Sequence, residues 1–92
     1  MLNDIRRDLR VSNTAFDTEI HGLIEAARKD LVVAGVLLSK ANSDTDPLIR
    51  RAVSVYVKAH FGFDNPDADR FRESYESLKA KLTLSQEYTV ER

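Results

Sequence analysis

The chain has 92 residues, with 14 basic and 15 acidic side chains, a net charge of −1 and no cysteine. This length holds one domain with a modest core, and the charge balance excludes a nucleic-acid binder that works through bulk positive charge. Without cysteine, neither a disulfide nor a thiolate metal site can reinforce so small a core, so association with other chains is the expected source of extra stability.

Glycine and proline are scarce, at three and two, and charged residues make up 32% of the chain, the profile of a compact helical protein. The N-terminus, Met1-Leu2-Asn3-Asp4-Ile5-Arg6-Arg7, lacks the apolar core of a signal peptide, which favours the cytoplasm. No stretch approaches the roughly 20 apolar residues of a membrane span.

In chain order, Leu2, Ile5 and Leu9 recur at helical spacing and predict a short amphipathic helix from Leu2 to Arg10. Val11-Ser12-Asn13 breaks it. Thr14 with Asp17 three positions on reads as a capping box, each side chain satisfying a free N–H at a helix start. Phe16, Ile20, Leu23, Ile24, Ala27, Leu31 and Ala34 then share one arc, and Gly35 stands where a left-handed cap is wanted. Residues 36–46 end in the polar run Ser39-Lys40-Ala41-Asn42-Ser43-Asp44-Thr45-Asp46 and read as a long loop. Asp46-Pro47 opens a third helix with Asp as N-cap and Pro at the first position. Its apolar residues, from Leu48 to His60, cover more than half the wheel, which makes it the central helix. Phe61-Gly62-Phe63 ends it. Asn65-Pro66 repeats the cap-and-proline signal for a fourth helix, from about Asp67 to Leu82, with a narrower stripe of Phe71, Tyr75, Leu78 and Leu82. Beyond it, Leu84, Gln86, Tyr88 and Val90 alternate as in an extended segment.

Little in this sequence is arranged for chemistry. His21 and His60 belong to no His-Glu-x-x-His pattern, so no zinc site is expected. His60, inside the third helix's apolar arc, reads as a half-buried histidine favoured by the negative end of the helix. The three glycines are isolated and form no phosphate loop, and no nucleophile elbow is present. No catalytic residue, cofactor site or metal ligand is assigned, and enzyme function is not expected.

Two features suit an interaction. The third helix carries Arg50, Arg51 and Lys58 with no acid between Pro47 and Phe61, while the second carries four acids, Asp17, Glu19, Glu25 and Asp30, against Arg28 and Lys29. These are either solvated faces that pair within the fold or complementary faces that meet between identical subunits, as in a head-to-tail ring. Three clustered cations also allow a weaker contact with DNA phosphates. The second feature is the tail, whose Leu84, Tyr88 and Val90 either pack back on the bundle, add to a partner, or fray.

The order of parts resembles a known family. The segments are Leu9-Arg10-Val11 after a short opening helix, Asp17-Thr18-Glu19-Ile20 leading into Leu23-Ile24-Glu25-Ala26-Ala27, Asp46-Pro47 before Ala52-Val53-Ser54-Val55-Tyr56-Val57, and Phe61-Gly62. Tyr75-Glu76-Ser77-Leu78-Lys79 and Leu82-Thr83-Leu84-Ser85-Gln86-Glu87-Tyr88 close the chain. This is similar to the head–tail connector (adaptor) proteins of long-tailed phages and prophages, some labelled DNA-packaging proteins, and the similarity spans nearly the whole chain.

The resemblance implies a non-catalytic, cofactor-free subunit of a ring, usually dodecameric, beneath the portal of the virion. Such a ring extends the DNA channel, passes DNA without reading its sequence, and offers a platform to a downstream stopper or tail-completion protein. It implies a place at the head–tail junction, with assembly in the host cytoplasm and no membrane partner. It also makes Leu84, Tyr88 and Val90 the portal-binding anchors of the tail. The loop at 36–46 has no basic residue except Lys40, which speaks against a DNA-facing role for it. The expected fold is all-α: a bundle of about four helices over residues 1–82 with an extended tail over 83–92. Arg50, Arg51, Lys58, Asp17 and Glu25 are the expected subunit-interface residues. The alternative is a small helical regulatory or DNA-binding module, which would be a dimer with the basic face of the third helix as its footprint.

Overall fold

The computed structural model describes residues 1–11, 14–62 and 65–91. Ser12, Asn13 and Phe63, which the sequence assigned to helix breaks, lie outside the described residues, as does Arg92 of the tail.

The chain is all-α. Among the described residues the helices are α1 (Leu2–Asp8), α2 (Asp17–Ala34), α3 (Leu38–Ala41), α4 (Pro47–His60), α5 (Ala68–Leu84) and α6 (Gln86–Thr89). The four longer ones, α1, α2, α4 and α5, are those the apolar spacing predicts.

The core follows that spacing. On α2, Ile20, Ile24, Ala27 and Leu31 are buried at intervals of three and four, the rhythm of one helix face. On α4 burial is broader: Ile49, Ala52, Val53, Ser54, Val55, Val57 and Ala59 are all buried, as befits a helix enclosed by α1, α2 and α5. Ile5 of α1 and Tyr75 and Leu82 of α5 complete the core from the outer helices.

The direction of each helix decides what meets at each end. Phe16, before α2, packs edge-on against Phe61, after α4, with ring centroids 5.5 Å apart, so α2 and α4 run antiparallel. Asp30 of α2 meets Tyr75 and Lys79 of α5, and the Leu37 N–H donates to the Tyr88 carbonyl at 2.8 Å. Hence α2 and α5 run parallel. The ends of α2 and α5, the start of α4, and both α3 and α6 therefore gather at one end of a molecule with extents of 41 × 24 × 19 Å.

Local rules explain most of the boundaries. Asp46 caps α4: its Oδ1 accepts the Leu48 and Ile49 N–H groups at 2.9 and 3.1 Å. Asn65 Oδ1 likewise accepts the Asp67 N–H at 3.1 Å, and α5 begins one residue later. Two helices end in the same paired pattern. In α2 the Gly35 N–H donates to the Val32 carbonyl and Val36 to Leu31, with Gly35 at φ 121°. In α1 Arg10 donates to Arg7 and Val11 to Arg6, with Arg10 at φ 59°. Glycine suits the left-handed position, whereas a side chain there costs about 1–2 kcal/mol.

The structure departs from the sequence expectations in four places. No Thr14–Asp17 capping box forms; Phe16 is the N-cap and no side chain caps α2. The loop at 36–46 contains a helical turn, α3, because Val36 and Ala41 are drawn into the core at 2% and 0% exposure and the chain between them coils. The tail is not extended. The helix α5 runs on to Leu84, and one further turn, α6, folds Tyr88 into the core, since a turn carries the tyrosine back over the bundle where a strand would carry it away. His60 is exposed rather than half-buried, with its ring 4.3 Å from that of Tyr56.

Candidate functional site: a basic cleft and an apolar end

The basic residues of α4 line a cleft. Arg50, Arg51 and Lys58 flank an open depression of about 620 Å³ closed by Asp4 and Asp8 of α1 and by Arg70 and Phe71 of α5. Asp4 lies 3.0 Å from Arg50 and neutralises it. The buried Ser54 hydroxyl donates to Asp8 at 2.9 Å, tying α4 to α1 across the cleft floor. The Lys58 ammonium sits 5.8 Å from the Phe71 ring centroid. Arg51 is exposed and makes no hydrogen bond or ion pair among the described residues. The cleft thus gathers four cationic side chains and two carboxylates; Arg50 and Arg70 each lie near a carboxylate, whereas Arg51 and Lys58 make no ion pair among the described residues. The sequence showed the α4 cations; Asp4, Asp8 and Arg70 join them only through tertiary packing.

No residue of α2 lines this cleft. The outer face of α2, with Thr18, His21, Gly22, Glu25 and Lys29 exposed, lies on another flank of α4. Glu25 is unpaired among the described residues and stands beside Arg28 and Lys29 at a shallow depression. Asp17 is half-buried and 3.5 Å from Arg6, so its charge is already met within the chain. The five charged residues expected at an interface are therefore not brought together within one subunit: three lie on the cleft and two on α2.

The tail residues separate as well. Tyr88 is 5% exposed, and its hydroxyl lies 3.0 Å from both carboxylate oxygens of Asp46, donating to one of them. Burial, followed by this contact with an anion, raises the phenol pKa to about 12. Leu84 and Val90 instead face outward, at 86% and 49% exposure. They share this end of the bundle with Val33, Leu38 and Leu48, all exposed. Among the described residues, five of the six exposed large apolar side chains thus collect where α2 and α5 finish, and the sixth, Phe16, lies at the opposite end.

Below that apolar end, α2 is fastened to α5 by one carboxylate. Asp30 accepts from the Tyr75 hydroxyl at 2.6 Å and the Lys79 ammonium at 3.0 Å. Burial alone would raise the Asp30 pKa, but these two donors outweigh it and hold the group below its usual value. Among the described residues no cluster of three His, Asp or Glu side chains is placed to hold a metal ion, and no helix is long and apolar enough to cross a membrane.

The chain is thus an all-α bundle with a polar cleft on one flank and exposed apolar residues at one end. The model of one family, described as phage connector protein, matches residues 1–89. The chain belongs to the phage connector family. No curated protein and no solved structure matches this connector chain. Membership associates the connector chain with the phage particle, and the match extends through the residues of α6.

Proposed function

We propose that the chain is a non-enzymatic structural subunit of the head–tail connector of a phage or prophage, forming a ring under the portal that extends the DNA channel and joins head to tail. The family match over residues 1–89 carries this reading. Opposite charge on separate flanks supports the ring. The cleft of one subunit offers Arg51, with Arg50 and Lys58 beside it, and the α2 face of the next offers Glu25. Such a contact is heterologous, so it repeats from copy to copy and closes into a ring if the rotation allows. Asp17 and Arg50 contribute less, since each already has a partner in its own chain.

The apolar end is the platform toward the portal, with Leu84 and Val90 as contact residues and Tyr88 as the internal anchor that sets their position. A stopper or tail-completion protein occupies the far side of the ring, and DNA passes through without sequence recognition. The subunit is thereby placed at the head–tail junction of the virion after assembly in the host cytoplasm.

The test is the native mass of the chain, alone and mixed with a portal ring, together with two charge reversals. Arg51→Glu and Glu25→Arg should each prevent ring closure. Mixed in equal amounts they should restore it, because each reversed face then meets a complementary one around an alternating ring. Failure of the mixture to assemble while the wild type does would remove this face pair. A stable dimer that ignores the portal would remove the connector reading itself.

A further inference from the structure

The end of α1 carries a feature that neither the cleft nor the tail uses. Arg10 occupies the left-handed cap position at φ 59°, in the same hydrogen-bond pattern that places Gly35 after α2. The chain thus uses glycine at one cap and holds a strained arginine at the other. The two backbone hydrogen bonds of the cap hold that conformation, but the side chain adds nothing to it: among the described residues Arg10 is exposed and its guanidinium makes no hydrogen bond, ion pair or ring contact. Strain kept without an internal partner points to an external one.

Its neighbours share its charge. Arg6, Arg7 and Arg10 line one shallow depression with Asn3 and Val11. Arg7 is 78% exposed, and its nearest carboxylate, Asp4, is 3.9 Å away and engaged with Arg50 at 3.0 Å. Arg6 reaches Asp17 at 3.5 Å. Two guanidinium groups, those of Arg7 and Arg10, are therefore presented side by side to solvent.

We propose that Arg7 and Arg10, the latter held at a left-handed helix cap, form a contact site for the phosphate backbone of duplex DNA. The chemistry favours a polyanion over a protein surface. The patch is shallow, three of its five lining residues are arginines, and Val11 is the one apolar residue among them, which is less than the apolar centre that a protein interface needs. Phosphate contacts ask only for accessible cations, and arginine's planar fork matches phosphate oxygens in pairs. The choice of DNA rests on the connector reading, and it identifies the α1 face as the one turned toward the channel. Two contacts per subunit are weak alone and are multiplied by the copies in a ring.

The experiment is fluorescence anisotropy with a labelled DNA duplex over a series of salt concentrations, using wild type, R10G, R7A/R10G and K81A, the last at an exposed cation of α5 outside both the cleft and the patch. Each phosphate contact contributes about 0.9 to the slope of log K against log salt. Per bound subunit, R10G should lower the wild-type slope by about 0.9, R7A/R10G by about 1.8, and K81A should leave it unchanged. R10G relieves backbone strain, so it remains folded, and its melting temperature should rise while DNA binding falls. A rise in melting temperature with unchanged DNA binding overturns the proposal, leaving only a helix cap. So does an equal loss of binding in K81A, which would show bulk charge in place of a site, and so does absence of wild-type binding at low salt. Unchanged DNA binding with a weaker complex on a portal ring would assign the patch to an acidic protein surface instead. Native mass of R7A/R10G, expected to match wild type, separates this site from ring formation, so either reading can fail alone.

Discussion

At the end of the bundle where α2 and α5 finish, the chain is held by contacts between residues far apart in sequence. Tyr88 meets Asp46, Leu37 meets Tyr88, and Arg28 reaches Asp44 at 2.6 Å. At the end where α2 begins, the fastenings among the described residues are closer in sequence, apart from the aromatic pair of Phe16 on Phe61: local backbone hydrogen bonds, Arg6 beside Asp17, and the Asn65 amide donating to the Lys58 carbonyl. The surfaces differ in the same way. The first end exposes Val33, Leu38, Leu48, Leu84 and Val90; toward the second, Phe16 is the one exposed large apolar residue among the described residues, and Arg7 and Arg10 are open. An apolar end gains by burying area against another protein, whereas a patch of arginines gains from a charged polymer. One small bundle can therefore meet two kinds of neighbour without a pocket for either.

That contrast can be broken from either side. The largest effect is expected from Tyr88→Ala, which empties a buried aromatic site and removes the tail's hydrogen bond. A loss of about 3–5 kcal/mol in urea unfolding is expected, and a loss below 1 kcal/mol would show that the tail is no part of the cooperative core. Tyr88→Phe keeps the ring and should cost about 1 kcal/mol. Asp46→Ala comes next, at about 1–2 kcal/mol, because it removes the cap of α4 together with the tyrosine's acceptor.

Alkali should loosen the two ends in order. The Tyr88 pKa rises from 10.0 to about 12 on folding, so its contribution is complete below pH 10 and is lost as pH climbs through about 12. Tyr75 and Lys79 are raised as well, and all three serve the α2–α5 side. Amide exchange should then rise first around α6; simultaneous loosening at α1 would contradict the assignment. In acid the sign reverses for Asp30. Its lowered pKa stabilises the fold above the ordinary carboxylate value, and that support disappears as pH falls through the lowered one.

Smaller still is Arg10→Gly, expected to stabilise by about 1 kcal/mol in thermal melts, less what glycine adds to the freedom of the unfolded chain. Leu84→Ser should change stability by less than about 0.5 kcal/mol, since the side chain is exposed. Its effect should be seen only in a weakened complex with the portal ring.

The helices α1, α2, α4 and α5 were legible because their apolar residues recur at three and four positions, and the starts of α4 and α5 are also marked by side chains that accept backbone N–H groups within three positions. Asp46 and Asn65 work that way. The folded tail was not legible: Leu84, Tyr88 and Val90 alternate as a strand would, and only Asp46, 42 residues earlier, tells the chain to coil and bury Tyr88. Similarly, Val36 and Ala41 gave no sign that the core would draw them in to make α3. The α4 cations of the candidate site were visible as a run without acids. Their environment was not, because Asp4, Asp8 and Arg70 come from two other helices. Arg10 escaped notice because a left-handed residue that is not glycine leaves no mark in composition or periodicity.

Asp46 accepts both from its own helix and from Tyr88, and the two bonds differ in how soon they can form. The cap spans two or three residues, while the tyrosine must close a long segment of chain first, at a correspondingly larger cost in entropy. The cap needs only the first turn of α4, whereas the tyrosine reaches the same carboxylate only once the chain between them is folded back, so one side chain serves both a local and a long-range constraint.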